Sequence, residues 1–115
     1  MKGGARSCKV PALPAAYDRG PMMEVGVLQF TLRLRGCRSL KEKRHVLKSI
    51  KDRLRARFNV AVAEVDDHEL WQKGTLGLVT CSNDPVRVRS MLDKIVMMIR
   101  LHPTAELVDH QIDIL

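Results

Sequence analysis

Five cations on one predicted helix are the residues of this chain best placed to do chemistry. Lys41, Arg44, Lys48, Lys51 and Arg55 follow at spacings of three, four, three and four. At the helical period their side chains fall within about 80° of one another. Successive turns then repeat a positive charge about every 5.4 Å. Such a ridge suits a polyanion, since it can neutralise phosphates and release their counterions. A solvated helix face is the plain alternative, because Lys and Arg are good helix formers. Against it stands the thin supply of acids: only Glu42 and Asp52 lie in the helix.

Three further residues, Arg35, Arg38 and Ser39, lead into that helix. A loop before a helix N-terminus can hold an anion through backbone N–H groups and nearby guanidinium groups. They also read as a simple turn and helix cap. Acylphosphatases share the element order derived below and use an Arg in such a loop. The loop pattern here does not match theirs, so an acylphosphatase-like enzyme is the least favoured reading. Asp66, Asp67, His68 and Glu69, with His110 elsewhere, lack metal-ligand spacing and read as a polar hairpin loop. No Ser-His-Asp or Cys-His pairing and no glycine-rich nucleotide loop can be placed. We therefore expect no catalysis, no metal and no cofactor.

The net charge of +7 is concentrated. Residues 33–57 hold eleven basic and two acidic side chains, a net of +9. Asymmetry of this kind speaks to partners rather than to fold. Cys8, Cys37 and Cys81 are odd in number and form no CxxC pair, which fits a reducing compartment. No apolar run approaches the ~18 residues of a membrane span. The expectation is a cytoplasmic protein with no membrane contact.

The elements that must position the ridge follow from periodicity. Residues 1–22 carry three Pro and three Gly without apolar periodicity and are expected to be a disordered leader. Residues 23–115 are expected to form one domain. Glu24–Leu34 alternates as a strand, with Leu28, Phe30, Leu32 and Leu34 facing the core. Val25, Val27, Gln29, Thr31 and Arg33 face the other way. Ser39 and Glu42 make a capping box. Leu40, Val46, Leu47, Ile50, Leu54 and Phe58 form the apolar stripe of the following helix, and Asn59 is expected to end it in a left-handed conformation. Lys43 falls inside that stripe by angle, so it must snorkel to the rim or mark a contact. Strands are predicted over Val60–Asp66 and Thr75–Cys81, joined by Asp67–Trp71, with Trp71 as a packing anchor. Asp84 and Pro85 begin a second helix, which His102-Pro103 stops. Ala105–Ile114 is the last strand.

The order β-α-β-β-α-β predicts a ferredoxin-like α+β sandwich. Its four-stranded antiparallel sheet would carry both helices on one face, with spatial order fourth, first, third, second. The other face would be bare or covered by a partner.

The stretches RSLKEKR (Arg38–Arg44), RFNVAVAEVD (Arg57–Asp66), LWQ (Leu70–Gln72) and SND (Ser82–Asp84) resemble the bacterial YlxP-like family, a domain of unknown function. The resemblance runs from about Glu24 to the C-terminus. It implies a ferredoxin-like fold, a cytoplasmic protein and gene association with translation and ribosome-maturation factors. It carries over no catalytic residues. Together these readings point to RNA-binding through the basic helix, with structured RNA or a ribosomal particle as the partner. The alternative is a protein-interaction module that forms a homodimer through the open sheet face.

Overall fold

The computed structural model describes residues 23–115. The expected leader, residues 1–22, lies outside the described residues. The elements run β1 (Glu24–Arg33), α1 (Leu40–Arg57), β2 (Ala61–Asp66), β3 (Lys73–Ser82), α2 (Pro85–Arg100) and β4 (Glu106–Ile114). The sheet order is β2-β3-β1-β4, antiparallel throughout. This is the ferredoxin-like arrangement that the alternation of apolar periods predicted.

Register explains how the two faces divide. Leu28 pairs with Leu78, Phe30 with Leu76 and Leu32 with Gly74, and this side carries the helices. Leu28, Phe30, Leu32, Leu76 and Leu78 are all buried there with Leu47, Ile50 and Leu54 of α1 and Val88, Leu92, Ile95 and Ile99 of α2. Gly26 lets α2 approach β1 closely: a Cβ at this position would collide with the Val88 side chain.

Most boundaries moved by one or two residues. The end of α1 differs in kind. Phe58 closes it in an extended conformation, its N–H donating to the Leu54 carbonyl at 2.9 Å. Asn59 is not left-handed, because the one described non-glycine residue with positive φ is Asp67, at 64°. The short step from Phe58 into β2 leaves no room for a left-handed cap. Instead the Asn59 carbonyl accepts from the Thr80 hydroxyl at 2.8 Å.

Candidate nucleic-acid interface

The apolar stripe of α1 packs on the sheet and turns the cationic ridge outward along the flank above β2. Lys41, Arg44, Lys48 and Arg55 are exposed and Lys51 is half-buried. The five are not equivalent. Asp52 takes two of them: its Oδ2 lies 2.7 Å from Lys48 Nζ and its Oδ1 lies 3.5 Å from Arg55 Nη1. The hydrogen bond from Lys48 holds the Asp52 carboxyl below its ordinary value, with the charges of Lys48, Arg55 and Lys51 adding to the effect. Lys41, Arg44 and Lys51 have no ion pair among the described residues.

Arg55 has a second task. Its Nη2 donates to the Val62 carbonyl at 3.0 Å. His68 Nε2 sits 3.1 Å from the Glu64 carbonyl. Val62 and Glu64 are alternate residues of the edge strand β2, where one residue in two turns its backbone polar groups away from the sheet. Two side chains thus cover part of that edge.

Lys43 corrects the snorkelling alternative. Its side chain is 1% exposed and its ammonium stays inside, 2.9 Å from Glu64 Oε2. That oxygen lies off the line of a well-directed hydrogen bond, so charge rather than a bond pairs it. The ammonium donates instead to the Asp67 carbonyl. Gly74 makes room for the lysine stem, since a Cβ there would stand 3.3 Å from Lys43 Cε. The carboxylate of Asp67 continues the network on the other side of the sheet end, accepting from the Thr75 hydroxyl at 2.7 Å. The Thr75 hydroxyl in turn lies 3.2 Å from that of Thr31. Sequence reasoning passed over this cluster. Its signal was a lysine within a leucine stripe opposite a glutamate on the inward side of a strand.

The residues considered for anion binding are drawn apart. Ser39 caps α1 by accepting from the Glu42 N–H at 3.1 Å, and Glu42 Oε1 accepts from the Arg38 N–H at 2.7 Å. The expected capping box forms only in part, since Glu42 reaches past the Ser39 N–H to that of Arg38, but the two side chains still occupy two of the amides that would greet an anion. Arg35 turns to Glu106, with Nη2 3.2 Å from Oε1. Arg33 approaches the same oxygen at 4.0 Å. Cys37 is buried, which pushes its thiol up and keeps it protonated.

The loop Asp67–Trp71 is a set of locally satisfied polar groups. Asp66 Oδ1 accepts from the Asp67 N–H at 2.8 Å, Asp67 holds Thr75, and His68 covers Glu64. Each of these three side chains thus has its own partner, and they do not converge on a shared point.

Trp71 corrects a second expectation. It is 53% exposed and stands outside the core, so it does not anchor the hairpin. Backbone and polar contacts anchor it instead. The Leu34 N–H donates to the Gln72 carbonyl at 2.8 Å, and Gln72 Nε2 donates to the carbonyls of Arg35 and Cys37 at 3.2 and 3.1 Å.

Residues 25–112 match a family described as a protein of unknown function, DUF503. The chain is also similar to a Bacillus subtilis (strain 168) protein described as "Uncharacterized protein YlxP". The two are 35% identical over 68 residues, which span 59% of this chain and 74% of that protein.

Proposed function

The chain belongs to the DUF503 family, and from that premise we propose that it is a noncatalytic cytoplasmic protein that binds structured RNA or a ribosomal precursor through α1. The observation that carries this reading is the state of Lys41, Arg44 and Lys51. They form a row on one flank of a helix, and no described acid pairs with them. Neighbouring like charges repel and cost the helix some stability. A polyanion relieves that repulsion. Lys48 and Arg55 join when phosphates displace Asp52, an exposed partner whose ion pairs are individually weak. Phosphate contact by three to five cations predicts a log–log salt slope of about −3 to −4.5 on a duplex. Filter binding to ribosomal RNA fragments at graded salt measures it. The double substitution Lys41→Glu and Lys51→Glu should lower affinity at least about tenfold at low salt. Unchanged affinity would sink the reading.

A second reading has its own observation. The open sheet face carries exposed Val65 and Val79, beside Val25, Val27, Ala61, Ala63 and Cys81. An apolar stretch on that scale fits a protein partner, including a second copy of the chain. Sedimentation of the wild type and of Val27→Arg checks it. Concentration-dependent dimers lost in the variant support the sheet interface, and a strict monomer counts against it.

A further inference from the structure

The hairpin between β2 and β3 presents an indole that the fold does not use. Trp71 and Leu70 are 53% and 47% exposed. With Arg33, Lys73, Gln72 and Glu69 they line an open hollow of about 650 Å³. Arg33 and Lys73 are cross-strand partners on the open sheet face, so two cations stand side by side next to the indole. Their acid contacts are long: Lys73 Nζ lies 3.9 Å from Asp67 Oδ2, and Arg33 Nη1 lies 4.0 Å from Glu106 Oε1. Both cations are about half exposed and remain available to an anion.

The loop that carries the indole is held in place. The Leu70 N–H donates to the Asp67 carbonyl at 3.2 Å, Lys43 donates to the same carbonyl, and Gln72 is fastened to the β1–α1 loop on three bonds. A large apolar ring fixed in water by its backbone is preorganised for a flat partner and gives up little entropy on binding. A ring face beside paired cations matches one chemistry especially well, an unpaired base with its phosphate. Base–aromatic stacking tolerates any base, because every base has a π-face. Structured RNA offers such bases in loops and bulges.

We infer that Trp71 is a stacking platform for an unpaired RNA base, with Arg33 and Lys73 holding the adjacent phosphate. The inference rests on the RNA reading above and extends it from phosphate contact to recognition of single-stranded segments. The ridge lies on the helix side and this corner on the sheet side, and the Lys41 end of the ridge is at the end of the molecule where α1 begins, as this corner is. Glu69, the acid in the hollow, repels phosphate from that wall and leaves the Arg33–Lys73 side as the approach.

Trp71 is the chain's one tryptophan, so its fluorescence reports this corner alone. The full chain is titrated with a ten-residue oligoadenylate and with a blunt RNA duplex, both end-labelled so that anisotropy reports binding independently. The expected result is saturable quenching by oligoadenylate with the same midpoint as its anisotropy. Trp71→Leu should weaken oligoadenylate roughly tenfold and leave the duplex within about twofold. Oligoadenylate that binds by anisotropy without changing the fluorescence overturns the platform while leaving RNA binding standing. Quenching that persists in the Lys41→Glu, Lys51→Glu protein while its duplex binding is unchanged supports the platform and removes the ridge. Equal quenching by polyglutamate assigns the corner to acidic protein and overturns the inference. No binding of either RNA removes both readings.

Discussion

Lys43 and Lys41 stand two residues apart on the same helix, and their surroundings make them opposites. Lys43 points into the stripe of Leu47, Ile50 and Leu54, is sealed from water and meets Glu64 and the Asp67 carbonyl. Lys41 points to the flank, stays in water and meets no described acid. A count of basic residues adds the two together, yet only the second kind is available to a partner. The inward cluster joins α1 to the β2–β3 hairpin; the outward row does little for the fold. A charge contributes to architecture when it is desolvated with a counter-charge, and to recognition when it is left without one.

The largest effect should come from breaking the inward cluster. Lys43→Ala strands Glu64 in a mostly enclosed site and should cost about 3–5 kcal/mol of unfolding free energy. Urea denaturation followed by circular dichroism measures this. Lys43→Met combined with Glu64→Leu should recover most of the loss, because a matched apolar pair removes both desolvation penalties. The ridge variant Lys41→Glu, Lys51→Glu should shift stability by no more than about 0.5 kcal/mol in the same assay. A Lys43→Ala protein as stable as the ridge variant would erase the distinction between the two regions.

A smaller effect touches both regions, since both hang from the first turn of α1. Ser39→Ala removes the cap that accepts from Glu42 and should cost about 1 kcal/mol. Amide exchange should quicken in the first turn of α1 and little elsewhere. Smallest is the effect of Asp52, which sharpens the outward side. Asp52→Asn frees Lys48 and Arg55 and should raise RNA affinity about twofold at low salt, the scale of a surface helix pair. Acid should act in the same direction as this substitution. The Asp52 carboxyl is held below 3.8 in the folded chain, so the unfolded chain takes up the proton first. The stabilisation is present above the ordinary carboxylate range and is lost as pH falls through that range and through the lowered folded value. Denaturation midpoints of wild type and Asp52→Asn should converge over that acid range.

Most of the architecture was legible because periodicity reports it directly. Alternation in β1 and the leucine spacing of α1 and α2 reflect which face is buried, and the element order leaves few topologies. Capping was equally local: Ser39 with Glu42 and Asp84 with Pro85 act over a few residues and can be read as words. What escaped depends on separation along the chain. Lys43 finds its partners 21 and 24 residues away, across a glycine whose missing Cβ admits its stem. No local pattern chooses between that arrangement and a lysine reaching for water. Trp71 escaped because aromatic type suggests burial, whereas a glutamine and two carbonyls of the β1–α1 loop hold the hairpin and leave the ring free. Asn59 escaped because a residue tolerant of left-handed backbone need not be asked for it.

The cover that Arg55 and His68 place over two carbonyls of β2 gives the sheet a direction. One margin of the ribbon is thus partly covered against further strands. The other is β4, nine residues long and interrupted by Glu106, Asp109 and Asp113. Lateral growth is therefore easier to begin at β4, where the carboxylates of two copies would meet and repel. Edge-to-edge aggregation should accordingly nucleate at the C-terminal strand, and Asp109→Asn with Asp113→Asn should promote it.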